Sequence, residues 1–110
     1  MTIGSSWHGV CRFADLLQDA PLHADVAGVT ICLVRSNRQV YVVHDECTHD
    51  KVPLSEGEVS NGIIECWVHG SRFDLATGGV LNLPATQPVE VYPVRVIEDG
   101  EVRVCQAEPP

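Results

Sequence analysis

The sequence predicts an all-β fold, an antiparallel β-sandwich or small barrel with a loop-rich subdomain inserted between its strands. Short runs rich in apolar and β-branched residues lie towards both ends of the chain, and turn residues separate them. From Asp45 the texture changes, because Pro, Gly and Asn residues interrupt the chain at short intervals. We therefore expect strands at both ends and an inserted segment of about residues 45–85.

The first half of the chain predicts four strands, at residues 7–13, 22–27, 29–34 and 39–44. A single helical turn is expected at residues 14–17, before Pro21 stops it. Residues 29–34 form a nearly continuous apolar run, which is typical of a strand buried on both faces. The turn at residues 36–38 makes the third and fourth strands a hairpin.

The second half predicts shorter strands. Residues 63–66 and 71–75 are two of them, on either side of a loop. Residues 89–97 and 101–106 then alternate in polarity around Asp99-Gly100, which is a strong signal for a hairpin with a two-residue turn.

At 110 residues the chain has the length of one domain. We expect a single domain over residues 1–110, with a base made by residues 1–44 and 86–110 and a subdomain of about residues 45–85. Apolar residues make up 45% of the chain, which argues against disorder.

The chain is acidic, with a net charge of −8, and this argues against nucleic acid as a partner. Residues 44–74 hold seven acidic side chains against Lys51 and Arg72. Such a surface is either a solvated face or a means of steering the protein towards a basic partner, which raises the rate of encounter more than the affinity.

The sequence predicts a cytoplasmic protein without a membrane anchor. Its first residues lack the basic start and apolar run of a signal peptide, and no segment approaches the ~18 apolar residues of a membrane span. Five cysteines, an odd number, fit a reducing compartment better than a disulfide framework. Three of them, Cys11, Cys32 and Cys105, lie in strand patterns and are expected to be small apolar core residues.

Two Cys/His pairs mark the inserted segment as a metal site. One residue separates Cys47 from His49, two separate Cys66 from His69, and sixteen residues lie between the pairs. Two thiolates and two imidazoles satisfy tetrahedral zinc. A zinc finger usually places both cysteines in one pair and both histidines in the other, however, whereas each pair is mixed here.

The mixed spacing resembles that of the Rieske family, in which two Cys and two His hold a [2Fe–2S] cluster with the histidines on one iron. Residues 69–74 (HGSRFD) are similar to the end of that family's second pair, and residues 83–85 (LPA) resemble the proline loop that covers its cluster. The resemblance implies the Rieske fold and one [2Fe–2S] cluster bound by Cys47, His49, Cys66 and His69.

The chain is also similar in length to the ferredoxin components of aromatic-ring-hydroxylating dioxygenases of the carbazole, biphenyl or naphthalene type. This resemblance implies a monomeric electron carrier rather than an enzyme. Its partners would be a flavin-containing NAD(P)H ferredoxin reductase, which supplies electrons, and a terminal Rieske oxygenase, which accepts them singly. A small Rieske subunit of another oxidoreductase, such as a nitrite-reductase-like complex, and a zinc-stabilised binding module are the alternatives.

Two departures from one branch of the family bear on the reduction potential. Rieske proteins of the cytochrome bc complexes carry an extra Cys in each pair, where this chain has Val52 and Val68, and a Tyr where it has Phe73. Ser71 is kept. The Phe in place of Tyr removes one hydroxyl hydrogen bond towards the cluster sulfur. Hydrogen bonds to sulfur stabilise the more negative reduced state, so fewer of them lower the potential. We therefore expect a potential near the low end of the Rieske range, about −150 mV.

The other histidines are not predicted to bind metal. His44 precedes Cys47 by three residues, but a structural role is expected for it. His8 and His23 lie outside any metal-ligand spacing and are expected at the surface.

Overall fold

The computed structural model describes residues 5–49 and 51–107, and it confirms the all-β prediction. Nine strands lie in this described part: β1 Ser5–Arg12, β2 Leu22–Val26, β3 Val29–Ser36, β4 Gln39–His44, β5 Glu58–Ser60, β6 Ile63–Glu65, β7 Arg72–Asp74, β8 Val94–Val96 and β9 Glu101–Ala107. Two 3-10 turns, Phe13–Asp15 and Leu54–Glu56, accompany them. Among the described residues, no helix has the length and apolar character needed to cross a bilayer.

The strands form three antiparallel sheets of three strands each, in the orders β1-β9-β8, β2-β3-β4 and β5-β6-β7. Two-residue turns, Ala27-Gly28 and Asn61-Gly62, join β2 to β3 and β5 to β6. All four of these turn residues have positive φ, which is the geometry of the type I′ turn that suits tightly twisted hairpins. The third sheet lies wholly within the segment that the sequence predicts as an insertion.

Strand β3 is buried on both faces, as its apolar run predicts, because it contributes to two hydrophobic cores. Ile31 and Leu33 pack in a base core with side chains of β4 and β9. Cys32 and Val34, on the opposite face, pack in a second core that also contains Cys47 and Cys66. The second sheet is thus a shared wall, and the predicted site is built directly against it.

The predicted long strand at residues 89–97 is wrong in one respect, because this segment divides its pairing between two sheets. Val91 forms a bridge to Val43, and the N–H of Tyr92 donates to the carbonyl of Val42 in β4. After Pro93 the chain pairs with β9 instead, as β8. Proline cannot donate a backbone hydrogen bond, so the change of partner falls where a ladder bond is lost anyway.

Two smaller differences concern turns and short strands. The hairpin at Asp99-Gly100 exists, but its loop has three residues, because the N–H of Ile97 donates to the carbonyl of Glu101 (3.0 Å) and Gly100 adopts φ +92°. A left-handed glycine at the end of a three-residue loop is the usual alternative to the two-residue turn. Strand β5 has no counterpart in the prediction, since its three residues lie among turn signals.

Candidate metal centre

The first predicted pair lies in a six-residue clip, residues 47–52, that begins three residues after β4. The N–H of Cys47 donates to the carbonyl of Val52 (2.8 Å), and the N–H of Lys51 donates back to the carbonyl of Cys47 (2.9 Å). These two bonds close the loop across its base. The side chains of Cys47 and His49 therefore project from a backbone that is fixed at both ends.

The second pair lies in a clip of the same backbone pattern, residues 66–71, between β6 and β7. The N–H of Cys66 donates to the carbonyl of Ser71 (2.8 Å), and the N–H of Gly70 donates to the carbonyl of Cys66 (3.0 Å). Each clip thus has a cysteine at its first position and bonds to its fifth and sixth residues. The two clips thus share one pattern of closing backbone bonds, which the unequal spacing of the histidines conceals in the sequence.

The fifth residue of each clip has a left-handed backbone. Gly70 adopts φ +77°, which costs glycine little, whereas Lys51 adopts φ +53°. For a residue other than glycine, this conformation costs about 1–2 kcal/mol of conformational free energy. The first clip therefore carries backbone strain that the second clip avoids.

The four donor side chains sort into a thiol pair and an imidazole pair, each drawn from both clips. Cys47 and Cys66 are each 1% exposed and lie in the same buried core. His49 and His69 are exposed, and their rings meet edge to face with centroids 5.3 Å apart. The sulfur donors are thus inside and the nitrogen donors outside.

The thiol pair is a poor place for negative charge unless a cation is bound. Burial, the largest cause, raises the pKa of the Cys66 thiol, and the neighbouring Cys47 raises it further. Backbone N–H groups of Val68 and His69 act in the opposite direction by hydrogen bonding to the sulfur. A metal would supply the missing positive charge and bind the thiolates, since a coordinating thiol is deprotonated.

Across the described residues, no three or more His, Cys, Asp or Glu side chains are gathered so as to hold one metal ion. The donors instead lie as two pairs, buried sulfur next to buried sulfur and exposed nitrogen next to exposed nitrogen. Such a donor set fits a diiron cluster with thiolates on one iron and imidazoles on the other.

The loop predicted to cover the site, residues 83–85, belongs to a longer segment that is fastened to both clips. Asn82 donates through Nδ2 to the carbonyl of Gly70 (3.0 Å), and Thr48 donates through Oγ1 to the carbonyl of Gln87 (2.8 Å). Between these contacts the N–H of Ala85 donates to Oγ of Ser71 (3.1 Å). The segment therefore holds the two clips at a fixed separation.

A buried carboxylate next to the first clip was missed by the sequence analysis. The side chain of Asp45 is fully buried and lies 2.6 Å from Nδ1 of His23. It also accepts hydrogen bonds from the backbone N–H and the hydroxyl of Ser55, each at 2.6 Å. His23 is half exposed, as expected of a surface residue, but its position 22 residues before Asp45 gave no sequence signal for this contact.

His44 does not lie among the four donors. Its Nε2 is 3.5 Å from Oε1 of Glu46, and its buried Nδ1 has no hydrogen-bond partner in the described part of the chain. Its backbone N–H donates to the carbonyl of Glu90 (2.9 Å), which extends the contact between β4 and the segment that follows the covering loop.

The similarity to known proteins covers most of the chain, well beyond the two Cys/His pairs. The family model described as Rieske [2Fe-2S] domain matches residues 6–93. The anthranilate 1,2-dioxygenase ferredoxin subunit of Burkholderia cepacia is 38% identical over 101 residues, which cover 91% of this chain and 92% of that protein.

Solved structures give the same result in three dimensions. The ferredoxin of carbazole 1,9a-dioxygenase from Nocardioides aromaticivorans IC177 superposes with a TM-score of 0.86 at 32% identity, covering 90% of this chain and 96% of that one. A chain of the complex of reduced oxygenase and oxidized ferredoxin in carbazole 1,9a-dioxygenase also gives 0.86 at 32% identity, over 94% and 97% of the two chains. A putative nitrite reductase small subunit from Mycobacterium tuberculosis shares the fold, with a TM-score of 0.87, but only 21% of the sequence; it covers 96% of this chain and 99% of that one.

Proposed function

The chain belongs to the Rieske [2Fe-2S] domain family, and from that premise we propose that Cys47, His49, Cys66 and His69 are the ligands of its cluster. Cys47 and Cys66 would hold the inner iron, and His49 and His69 the outer one. The observation that supports this most strongly is the sorting of the donors into a buried thiol pair and an exposed imidazole pair.

The protein is an electron-transfer ferredoxin of an aromatic-ring dioxygenase system rather than an oxygenase. The cluster, when bound, supplies a centre that takes up and gives back one electron. The two clips hold its ligands, the segment from Asn82 to Gln87 excludes water from the buried thiols, and the exposed imidazole edges give the shortest route for an electron to a partner surface.

The partner that receives the electron is a terminal oxygenase, by analogy with the carbazole system whose ferredoxin and oxygenase form a complex. The reductase partner, the monomeric state and the cytoplasmic location belong to the proposal. The likeness to a nitrite reductase subunit extends to the fold alone, so it supports no second function.

We also propose the division of the chain into a base, residues 1–44 and 86–110, and a cluster-binding subdomain of about residues 45–85. The third sheet and both clips fall within the latter range. The base would serve as a rigid support, because β3 and β4 form one wall of the core around the thiols.

Electron transfer to an oxygenase is the direct test of this function. Chemically reduced protein, mixed anaerobically in a stopped-flow instrument with oxidised terminal oxygenase of the anthranilate or carbazole type, is expected to be reoxidised with one electron transferred per chain. The rate is expected to fall as salt is added, because the acidic clip region steers the encounter and salt screens it. Reduced protein that holds its cluster but transfers no electron to either oxygenase would contradict the proposal.

Ser71→Ala is expected to lower the reduction potential. Ser71 is fully buried, and its Oγ accepts the N–H of Ala85, which leaves the hydroxyl proton available to bond a sulfur of the neighbouring site. A hydrogen bond to a charged group contributes about 1.5–3 kcal/mol. At 59 mV per tenfold change for one electron, we expect a fall of about 60–130 mV from the wild-type value.

Voltammetry of the wild-type and Ser71→Ala proteins checks this expectation. Ser60→Ala is the matched control, since Ser60 is exposed in β5 and is expected to leave the potential unchanged. A Ser71→Ala potential equal to that of wild type would show that this hydroxyl does not act on the cluster.

A further inference from the structure

Asp45 joins three parts of the chain at one buried carboxylate. His23 comes from β2, Ser55 from the 3-10 turn Leu54–Glu56, and Asp45 itself follows β4 and precedes Cys47 by two residues. Its Oδ1 accepts a hydrogen bond from the backbone N–H of Ser55, and its Oδ2 accepts one from the Ser55 hydroxyl and lies 2.6 Å from Nδ1 of His23. The backbone N–H of Asp45 also donates to the carbonyl of Thr30 (3.0 Å), so the carboxylate is fixed relative to the second sheet.

His23 is the one positively chargeable group that meets this carboxylate among the described residues. The ionisable groups that face its ring are Asp45 and Asp25, the latter at 3.5 Å from Nε2. Cys32 lies directly opposite His23 in the register of β2 and β3, and burial raises the pKa of that thiol, so it stays neutral. The side of β2 that bears His23 is therefore the side that faces the core of the metal centre.

A buried carboxylate without compensation disfavours further negative charge nearby. Reduction adds one negative charge to the centre, so an ionised Asp45 close to Cys47 opposes it. A protonated His23 balances the charge of that carboxylate, so the electrostatic repulsion that disfavours reduction is removed. The state of an imidazole outside the ligand set thus bears on how readily the electron is accepted.

We propose that His23 is a positioning residue that acts on the cluster through Asp45, so that loss of its proton lowers the reduction potential. This inference rests on the proposed function, because it requires a bound cluster that changes charge by one electron. Among the described residues, the His23 ring has ionic contacts with Asp25 and Asp45, and of these two Asp45 lies next to the first clip. Its effect on the cluster therefore travels through that carboxylate.

The pH range follows from the environment of the ring. The pKa of His23 is raised above its ordinary value, chiefly by the hydrogen bond to Asp45 and further by the charges of Asp45 and Asp25, although burial acts in the opposite direction. Below its unfolded pKa the His23 imidazole is protonated, and its charged contact with Asp45 contributes fully to stability. That contribution is lost as the pH rises through the raised pKa of the folded state, because the imidazole gives up its proton. Linkage requires the converse effect as well: reduction of the cluster must raise the pKa of His23 further.

Potentiometry of wild type and His23→Gln from about pH 5.5 to 9 tests the proposal, because this interval contains the titration of a histidine. Glutamine can still donate one hydrogen bond to Asp45 but cannot carry the charge. We expect the wild-type potential to exceed that of His23→Gln at low pH and the difference to vanish as the pH rises. A difference that is constant with pH would mean a structural role and would overturn the proposal.

Two further variants separate charge from packing. His8→Gln removes a histidine from β1 and is expected to keep the wild-type pH dependence. Ser55→Ala removes the hydroxyl bond to Asp45 but leaves the His23 contact, so it is expected to keep the pH-dependent part as well. Loss of that part in His8→Gln would assign it to another group and contradict the proposal.

A second readout uses wild-type protein alone. The imidazole titration of His23, followed by NMR with histidine-specific labelling, is expected to give a higher pKa in the reduced than in the oxidised protein. Equal values in the two states would overturn the inference. A wild-type protein without a reversible one-electron wave would instead overturn the proposed function, and the inference with it.

Discussion

Replacement of His69 or His49 by alanine is expected to abolish the Rieske-type EPR signal of the reduced protein. Each imidazole is one of the two nitrogen donors proposed for the outer iron, and the two rings lie 5.3 Å apart at the exposed end of the site. An alanine provides no donor, so the outer iron loses half of its protein ligands. EPR of the dithionite-reduced variants, with electron transfer to the oxygenase as a second assay, measures the loss.

His44→Ala is the control for this experiment. His44 lies three residues before Cys47, and its Nε2 is 3.5 Å from Oε1 of Glu46. Its removal is expected to leave the EPR signal in place. A signal that survives in His49→Ala or His69→Ala, or that disappears in His44→Ala, would overturn the ligand assignment.

Gly78→Ala is expected to destabilise the protein by about 2–4 kcal/mol, because two costs combine. Gly78 adopts φ +78°, which disfavours a side chain. A Cβ at this position would also overlap the carbonyl oxygen of Val89, a backbone atom that cannot move aside cheaply. That same backbone stretch is bound in place, since the N–H of Val89 donates to the carbonyl of Gly78 (2.9 Å).

Gly62→Ala isolates the conformational part of this cost. Gly62 adopts φ +76° in the β5–β6 turn, yet among the described residues, its two chain neighbours apart, a Cβ there would meet no atom within 4 Å. The Gly62→Ala variant is expected to lose about 1 kcal/mol of unfolding free energy. Thermal unfolding of the loaded proteins compares the two, since 1 kcal/mol lowers the Tm of a 100-residue domain by roughly 4–8 °C. Equal Tm values for both variants would show that the close approach of Gly78 to Val89 is absent.

Local sequence signals predicted the second sheet well. The apolar run of β3 and the alternation of β4 are bounded by residues that favour tight turns, and each strand pairs with its neighbour in the chain. Such pairing requires no long-range information, because a short turn fixes the register. The mixed Cys/His spacing that predicts the ligand set is likewise a local pattern, and the fold brings its four side chains together as a buried pair and an exposed pair.

Contacts between distant segments could not be predicted in this way. Alternation in residues 89–97 indicates an extended chain but not its partner, and the change from β4 to β9 at Pro93 depends on how the sheets are arranged. The contact between His23 and Asp45 has the same character, because it joins a strand of the base to the approach to the first clip. The common geometry of the two clips also stays hidden, since it lies in backbone bonds rather than in residue types.

Pulsed EPR of reduced protein labelled with ¹⁵N-histidine distinguishes a cluster with two imidazole ligands from one held by sulfur alone. A cluster held by Cys47, Cys66, His49 and His69 predicts strong coupling of the electron spin to two directly bound imidazole nitrogens, and loss of one coupling when either histidine is replaced. A reduced cluster without bound nitrogen, or purified protein that contains zinc and no acid-labile sulfide, would rule out this ligand set.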